Sequence, residues 1–593
     1  MFYNEKKKIF RRRMFFLRWL KDLVSNPEKS GIALAVVISL FMLIYHWPSI
    51  NSWQLGDNDN YMRLHQIQTF IASPSWYVTP LKDFNYNDGQ IIHWSRIVDL
   101  PILAIYYTLA IFVSSTLALK LSISIIPLIY LILLTFTLNK LIKHSLGNEY
   151  LFLGTIYILF SLVISKFTPG NIDHHNIQML LFTTFLLSTE NYTSKNSYIY
   201  SSLCISTSLT IGLETLPLFV LYLSVKSMIE INKKPSYIRF IKNTSLWTSF
   251  LGTLFLFSFY PIHEIVNPRY DTISIGILFY FLLIGMALEL SLFNINRTKV
   301  FIYTLVAIII SYLLFPKAIS SPYSNYPELL KVYWLDHVSE AKPLWELLKT
   351  KSIFSNQVYI TTVVLGVVAT IASIKNKKLN SFHICFLISL IPVFFWQIRM
   401  ITFTSLLEIP LLSFIGVKLF LEIKTPVIRI IIPLLLAPVI LSSLVVTSDY
   451  LMNGIKEKNK TRTTFNGIQI IENLGIDNKS ILASIDYGAP LLALTHNKVF
   501  SAPYHRNING NLLFINIMLN TLSNDAFDTL SNNLVDIIVL DLNSPQVKLL
   551  MDKKSDSCLL SSLIGSTPPK WADKIYSDNG LLIYKVNKDY RHG

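Results

Sequence analysis

Residues 31–50 read Gly-Ile-Ala-Leu-Ala-Val-Val-Ile-Ser-Leu-Phe-Met-Leu-Ile-Tyr-His-Trp-Pro-Ser-Ile, an uncharged apolar run. A helix needs roughly 20 such residues to cross a bilayer. Lys6 to Lys8 and Arg11 to Arg13 precede the run and no small-residue cleavage site follows it. That order predicts an uncleaved signal anchor, N-terminus cytoplasmic. The same scan finds apolar segments near 97–118, 121–139, 151–165, 176–189, 198–225, 246–262, 272–293, 299–315, 358–374, 382–396, 400–421 and 426–447. The expected fold class is a polytopic α-helical membrane protein with about thirteen transmembrane helices.

Composition agrees. Of 593 residues 52% are hydrophobic, 13% aromatic and only 15% charged, where a soluble chain carries roughly a quarter charged residues. An ordinary cytosolic enzyme is excluded. Lys and Arg total 52 against 36 Asp and Glu, a formal charge of +16, and the surplus flanks apolar segments as topology signals do. Nothing in it calls for nucleic acid. Three cysteines exclude a disulfide scaffold or a multi-Cys zinc site.

Basic connections at 226–242 (Lys226, Lys233, Lys234, Arg239, Lys242), Arg297/Lys299, Lys375/Lys377/Lys378 and Lys424/Arg429 should be cytoplasmic, and they alternate correctly with the other loops. One stretch resists: if every segment crosses once, Lys140 and Lys143 face outward and the loop 166–176 inward. The repair lets 97–139 cross once in net terms, with one piece re-entrant or interfacial, and splits 198–225 into two short spans around Glu214. Loops 51–96, 166–176 and 316–357 and the tail then share the outer face.

From about 448 the hydropathy falls. ILASID (481–486), KVFSAP (498–503), DIIVLDL (536–542) and LLIYKV (581–586) read as short buried strands. Residues 448–593 are expected to form a soluble α/β domain after a membrane domain at 31–447 and a basic N-terminus at 1–30. There is no glycine-rich dinucleotide or phosphate-loop fingerprint.

Four outward places hold polar groups that a membrane chain does not need structurally. In Gly56-Asp57-Asn58-Asp59-Asn60-Tyr61-Met62-Arg63, two carboxylates at i and i+2 offer hard oxygens to Mg²⁺ or Mn²⁺, and Arg63 could hold a phosphate. The same residues also suit a helix beginning near Asn60 with Asp59 as its cap. In the second place, 166–176, Asp173-His174-His175 could bind a cation or manage protons, or simply start a helix. The third is Asp336-His337-Val338-Ser339-Glu340 in the longest outward loop, and the fourth is Arg399 between two apolar runs. An arginine there costs roughly 2.5–3.5 kcal/mol if it faces lipid, so it belongs at a wet cavity, an anion or the interface.

Taken together, these places resemble the catalytic subunit of oligosaccharyltransferase, a C-type glycosyltransferase. In that family an Asp precedes an Arg by six positions, as Asp57 precedes Arg63. The family pattern Ser-Arg-x-x-x-Gly-x-x-Asp-x-Glu is matched in spacing by Ser165-Lys166-x-x-x-Gly170-x-x-Asp173-His174-His175. Ser-Val-Ser-Glu followed by a Pro and a Trp is close to His337-Val338-Ser339-Glu340 with Pro343 and Trp345. Trp-Trp-Asp-Tyr-Gly is approached by Ser484-Ile485-Asp486-Tyr487-Gly488. His175 replaces an acidic residue, Lys166 an Arg, and Ser484-Ile485 the two tryptophans.

The resemblance implies a soluble C-terminal domain, a polyprenyl-phosphate-linked sugar donor and a divalent metal held by Asp57, Asp173, His175 and Glu340, with Asp59 as a further ligand or as base. Arg63 and Arg399 would face the donor phosphate and Asp57 or Glu340 would activate the acceptor. Asp486 and Tyr487 would meet the acceptor, as could His505 and Arg506, which read equally as surface loop residues. The lost tryptophans leave the acceptor open among protein, lipid and polysaccharide. A bacterial inner membrane with a periplasmic tail is the expected location. A transporter or lipid flippase is the rival reading, resting on Glu214, Glu289, Arg399 and Glu408 within apolar segments.

Overall fold

The structure, a computed structural model, describes residues 26–593 apart from 78, 86–88, 231–234, 267–270, 293–296, 319–322, 324–325, 351–355, 445–463, 520–522, 554–557, 566–567 and 591–593. The basic N-terminal cluster, Lys233, Lys234 and the domain boundary near 448 lie outside the described residues.

Helix α1 (Pro27–Asn51) starts where the sequence provides a cap. Asn26 Oδ1 accepts the N–H groups of Glu28 and Lys29 at 3.1 and 3.3 Å, and Pro27 fills the first turn, where no N–H is needed. It packs antiparallel on α3 (Ser115–Ser145), a 31-residue helix. Lys120 at one end of α3 reaches the Asn51 carbonyl at 2.6 Å, and Lys143 at the other reaches Glu28 at 2.9 Å. The apolar segments at 97–118 and 121–139, expected to make one net crossing between them, form a short helix, Asp99–Leu109, followed by one continuous long helix. Eleven residues rise only about 16 Å, too little to cross.

The packing then runs from neighbour to neighbour: α3 on α4 (His175–Glu190), α4 on α5 (Ser197–Ile211), α5 on α7 (Pro235–Phe259), and α7 on α8 (Ile275–Leu292). Between α5 and α6 (Leu216–Glu230) the helix breaks at Gly212 to Thr215, which carries Glu214. Helix α9 (Ile401–Glu422) is almost wholly buried and packs on Gln357–Ser373 and Asn380–Phe395. Ion pairs between Lys226 and Glu190, and between Lys242 and Glu289, mark the end of the bundle opposite the polar loops.

Among the described residues five helices are long and apolar enough to cross a membrane, or six if the bent pair Pro426–Leu435 and Pro438–Leu444 counts as one span.

The tail forms one five-stranded sheet in the order β2-β1-β3-β5-β4. Its strands are β1 (Ser480–Ala483), β2 (Lys498–Val499), β3 (Ile537–Asp541), β4 (Ala572–Asp578) and β5 (Leu581–Val586). β1 lies parallel to β2 and β3, while β5 runs antiparallel to β3 and β4. β4 escapes the apolar-run reading because it is a mostly exposed edge strand. The tail docks through α10 (Gly488–Leu494) on α2 (Asn58–Ala72), and Tyr504 donates its hydroxyl to the Asn58 carbonyl at 3.0 Å.

Candidate active site

Helix α2 begins at Asn58, and its cap is Asp57, whose Oδ1 accepts the Asn60 N–H at 3.0 Å, two residues before the cap expected at Asp59. Capping at Asp57 turns Asn60 inward. Asn60, 1% exposed, accepts the N–H groups of Ile172 and Asp173 at 2.8 and 3.0 Å. Two distant motifs are thereby locked together. The loop reaches that position through Gly170, whose φ of +83° favours glycine and whose Cβ, if present, would collide with Ile50 Cδ1.

Asp173 then anchors both histidines. Its Oδ1 accepts the His174 N–H at 2.7 Å and its Oδ2 is hydrogen-bonded to His175 Nδ1. His174 Nδ1 lies 2.6 Å from Asp173, and its Nε2 lies 3.2 Å from Glu214, which Gln178 also holds. The two imidazoles stack at 4.5 Å. His175 Nε2 is buried and has no partner.

Asp57, Asp59, Lys166, Asp173, His175, Glu340 and Asp486 line a single cleft of about 410 Å³, with Tyr333, Trp334, His337, Pro503 and Gln546 around it. Glu340 is brought there by a tight turn at Ser339–Ala341, tied to the Arg399 turn by the Ile398 N–H donating to the Lys342 carbonyl at 2.7 Å. Arg399 itself has a buried Nε without a partner and lies within electrostatic reach of Glu214 and Glu340.

The electrostatics follow from crowding. Loss of water around Asp57, then the Asp173 carboxylate, pushes Asp57 up to about 6; burial and the Asp173 and Asp57 charges push Asp59 well above the usual carboxylate range. Burial works against ionised Asp173 too, yet His174 and His175 outweigh it and hold Asp173 well below that range. For His174 burial opposes the charge, but Asp173 and Glu214 raise it to about 10. His175 goes the other way, lowered by burial, Lys166 and His174. Asp173, His174 and His175 bring ligand atoms within 4.8 Å of one another, the donor types of a divalent cation site, while the Asp57, Asp59 and Glu340 carboxylates line the same cleft without joining that close set.

Several expected contacts lie elsewhere. Arg63 is 1% exposed, pairs with Asp99 at 3.1 Å and stacks 4.5 Å over Trp94. Arg96 joins the same carboxylate at 3.3 Å. Arg63 therefore braces α2 rather than facing a donor phosphate. Tyr487 is fully buried, donating to Asp541 at 2.8 Å, so of its pair only Asp486 reaches the cleft. His505 and Arg506 do not line the cleft: they grip Asp271, His505 at 2.8 Å and Arg506 at 2.6 and 2.8 Å, with His93 packed 4.8 Å from His505. The sequence reading missed His93, Asp271 and the His174–Glu214 pair. An isolated acid or histidine carries no spacing signal until the fold supplies its partner.

No family model and no curated protein matches the sequence. Solved structures do. An archaeal oligosaccharyltransferase, AglB from Archaeoglobus fulgidus in complex with an inhibitory peptide and a dolichol-phosphate, is similar with TM-score 0.62 and 13% identity, over 96% of this chain and 75% of that one. The Archaeoglobus fulgidus enzyme tethered to an acceptor peptide containing the NVT sequon gives 0.61 and 15%, over 96% and 74%. Its complex with Zn and sulfate gives 0.58 and 14%, over 94% and 73%. Over nearly its whole length this chain shares the fold of these oligosaccharyltransferase structures.

Proposed function

We propose that this chain is a membrane glycosyltransferase moving a sugar or oligosaccharide from a polyprenyl-(pyro)phosphate-linked donor to an acceptor at the outer face of the membrane. The observation that carries the reading is the convergence of Asp57, Asp59, Asp173, His175 and Glu340 on one cleft, with His175 Nε2 buried and unpartnered. The fold likeness supports it, since the archaeal neighbours were solved with a dolichol-phosphate, with Zn and sulfate, and with an acceptor peptide.

A divalent cation, Mg²⁺ or Mn²⁺, held by Asp57, Asp173, His175 and Glu340 would draw negative charge from the leaving phosphate. The chain's own groups do the rest. His174 and Glu214 fix Asp173 so that its ligand geometry is set in advance. Arg399 brings a guanidinium with an unpartnered Nε toward the phosphate. Asp57 or Glu340 takes the acceptor's proton.

The helix order supports about thirteen crossings, with Asp99–Leu109 interfacial and α5 and α6 as two short spans meeting at Glu214. Basic connections at one end then face the cytoplasm and the cleft and tail face outward, as in a bacterial inner membrane with a periplasmic domain. Of the four residues behind the transport reading, three acids have partners in the fold. Glu214 is held by His174, Glu289 by Lys242, and Glu408 accepts from Ser405 at 3.3 Å.

The test is transfer of labelled sugar from total polyprenyl-linked lipids by the purified protein, with EDTA and with Mn²⁺ restored. Transfer that depends on the metal supports the reading. Movement of the lipid without loss of its sugar would overturn it.

A further inference from the structure

One wall of the cleft is not used by the donor chemistry. Trp334 and Tyr333, both half-buried, line it beside the short helix Glu328–Tyr333, and Gln546 lines it from the tail. Gln546 is 7% exposed, and its Oε1 accepts the Ile485 N–H at 2.7 Å, which fixes the amide plane. Its Nε2 is left buried at the cleft wall with no protein partner. An unpaired buried donor of this kind is costly unless a ligand completes it.

The wall offers little to an extended peptide. Strand addition needs an open sheet edge, and the edges of this sheet are β2 and β4. β2 is bridged by Phe84 at Val499, and no β4 residue lines the cleft. Pro503 and Pro545 on the same wall have no N–H to give. A sugar ring fits what is present. Its apolar C–H face stacks on a flat aromatic such as Trp334, and its hydroxyls match a planar carboxylate, Asp486, and an amide N–H, Gln546.

We propose that the acceptor is a glycan, its ring seated on Trp334 and its hydroxyls held by Asp486 and Gln546. The proposal rests on the glycosyltransferase reading above and narrows its acceptor. In the step, an acceptor hydroxyl oxygen bonds to the anomeric carbon of the donor sugar as the bond from that carbon to the phosphate oxygen breaks. The polyprenyl (pyro)phosphate leaves with the electron pair, and the hydroxyl proton passes to Asp57 or Glu340.

The experiment gives the purified full-length protein radiolabelled lipid-linked sugars extracted from its source membranes. The acceptor panel pairs fluorescent hexose, N-acetylhexosamine and uronic-acid oligosaccharides with a randomised peptide library. Label on oligosaccharides is expected. Trp334→Ala and Gln546→Leu should raise the acceptor KM about tenfold or more with a smaller change in kcat, while Trp334→Phe stays near wild type. If Trp334→Ala does not fold, Gln546→Leu reads the same wall. Label on peptides alone, donor hydrolysis with no oligosaccharide product, or an unchanged acceptor KM in both variants overturns the glycan proposal and leaves the enzyme reading standing. Failure to release polyprenyl phosphate from any donor overturns the enzyme reading and the proposal with it.

Discussion

The Lys143 ammonium sits 2.9 Å from the Glu28 carboxylate, joining the far end of α3 to the beginning of α1. Since Lys120 meets Asn51 at the other ends of the same helices, each crosses the bundle once and in opposite directions. Lys140 and Lys143 therefore share a side with the N-terminal end of α1. Single cysteines at 28, 143 and 226 are expected to react with an impermeant maleimide from one side of sealed vesicles, and cysteines at 173 and 271 from the other. Labelling of 143 and 173 from the same side would break the topology.

Metal binding should be pH-dependent with a defined sign. Asp57 is raised to about 6, so below that value a proton occupies the oxygen a cation needs. Affinity for Mn²⁺, read by calorimetry, should fall by about tenfold for each pH unit below 6 if one proton is displaced. Without metal the sign for stability is opposite to that of a salt-bridged carboxylate. A raised folded value means the group costs stability as pH climbs from about 4 to about 6, because charging is easier in the unfolded chain. Asp57→Asn keeps a capping side chain and removes the repulsion. It should raise the metal-free Tm at pH 7.5 and shrink the rise that Mn²⁺ gives.

His174 and Glu214 act one shell out. Glu214→Gln leaves the hydrogen-bonding shape and removes the charge that helps hold His174 protonated. Mn²⁺ affinity should drop roughly 10–100-fold, the usual effect of losing an outer partner. Unchanged affinity would limit Glu214 to bracing the helix break. Asp173→Ala should cost more, about 100-fold or beyond in transfer rate, with insertion in the membrane unaffected.

How much of this was legible follows from what spacing can encode. Asp57, Asp173 and Glu340, which the structure brings to one cleft, stood out because each is an acid in a polar loop between apolar runs, where a membrane chain has no packing reason to keep one. The split at Glu214 was found from charge bias in the loops, which is a local count. Arg63 misled because a sequence cannot distinguish an arginine aimed at a ligand from one aimed at Asp99, 36 positions away. Tyr487 misled for the same reason, its partner Asp541 lying on another strand. The edge strand β4 was invisible because its exposed side chains leave no apolar run.

The Arg506 guanidinium spans both oxygens of Asp271, with His505 on one of them, so the tail is fastened to the loop before α8. Burial alone would raise Asp271, but the hydrogen bonds from His505 and Arg506 hold it well below the usual carboxylate range. Its contribution is therefore present above about pH 4 and is lost as pH falls further. Arg506→Ala leaves His505 as the remaining partner of a largely buried carboxylate and should destabilise the docked tail by about 1–3 kcal/mol, read as faster proteolytic release. Asp271→Asn together with Arg506→Ala should recover part of that loss, a coupling of about 1–3 kcal/mol. Additive losses would mean the clamp contributes nothing to docking.

Two arginines that look alike in sequence should part company in kinetics. Arg63 is sealed between Asp99 and the Trp94 ring, and Arg399 keeps an unpartnered Nε near Glu214 and Glu340. Arg63→Ala strips a buried ion pair of one member, so the loss should appear in folding: a lower Tm and less protein in the membrane, with the donor KM of the surviving enzyme unchanged. Arg399→Ala should leave the Tm within the range of a surface change and raise the donor KM, because the charge it removes is felt by the phosphate in both ground and transition states. Arg399→Lys restores charge without the planar fork and should recover only part of the loss. A donor KM that rises in Arg63→Ala and not in Arg399→Ala would reverse these roles and put the phosphate beside α2.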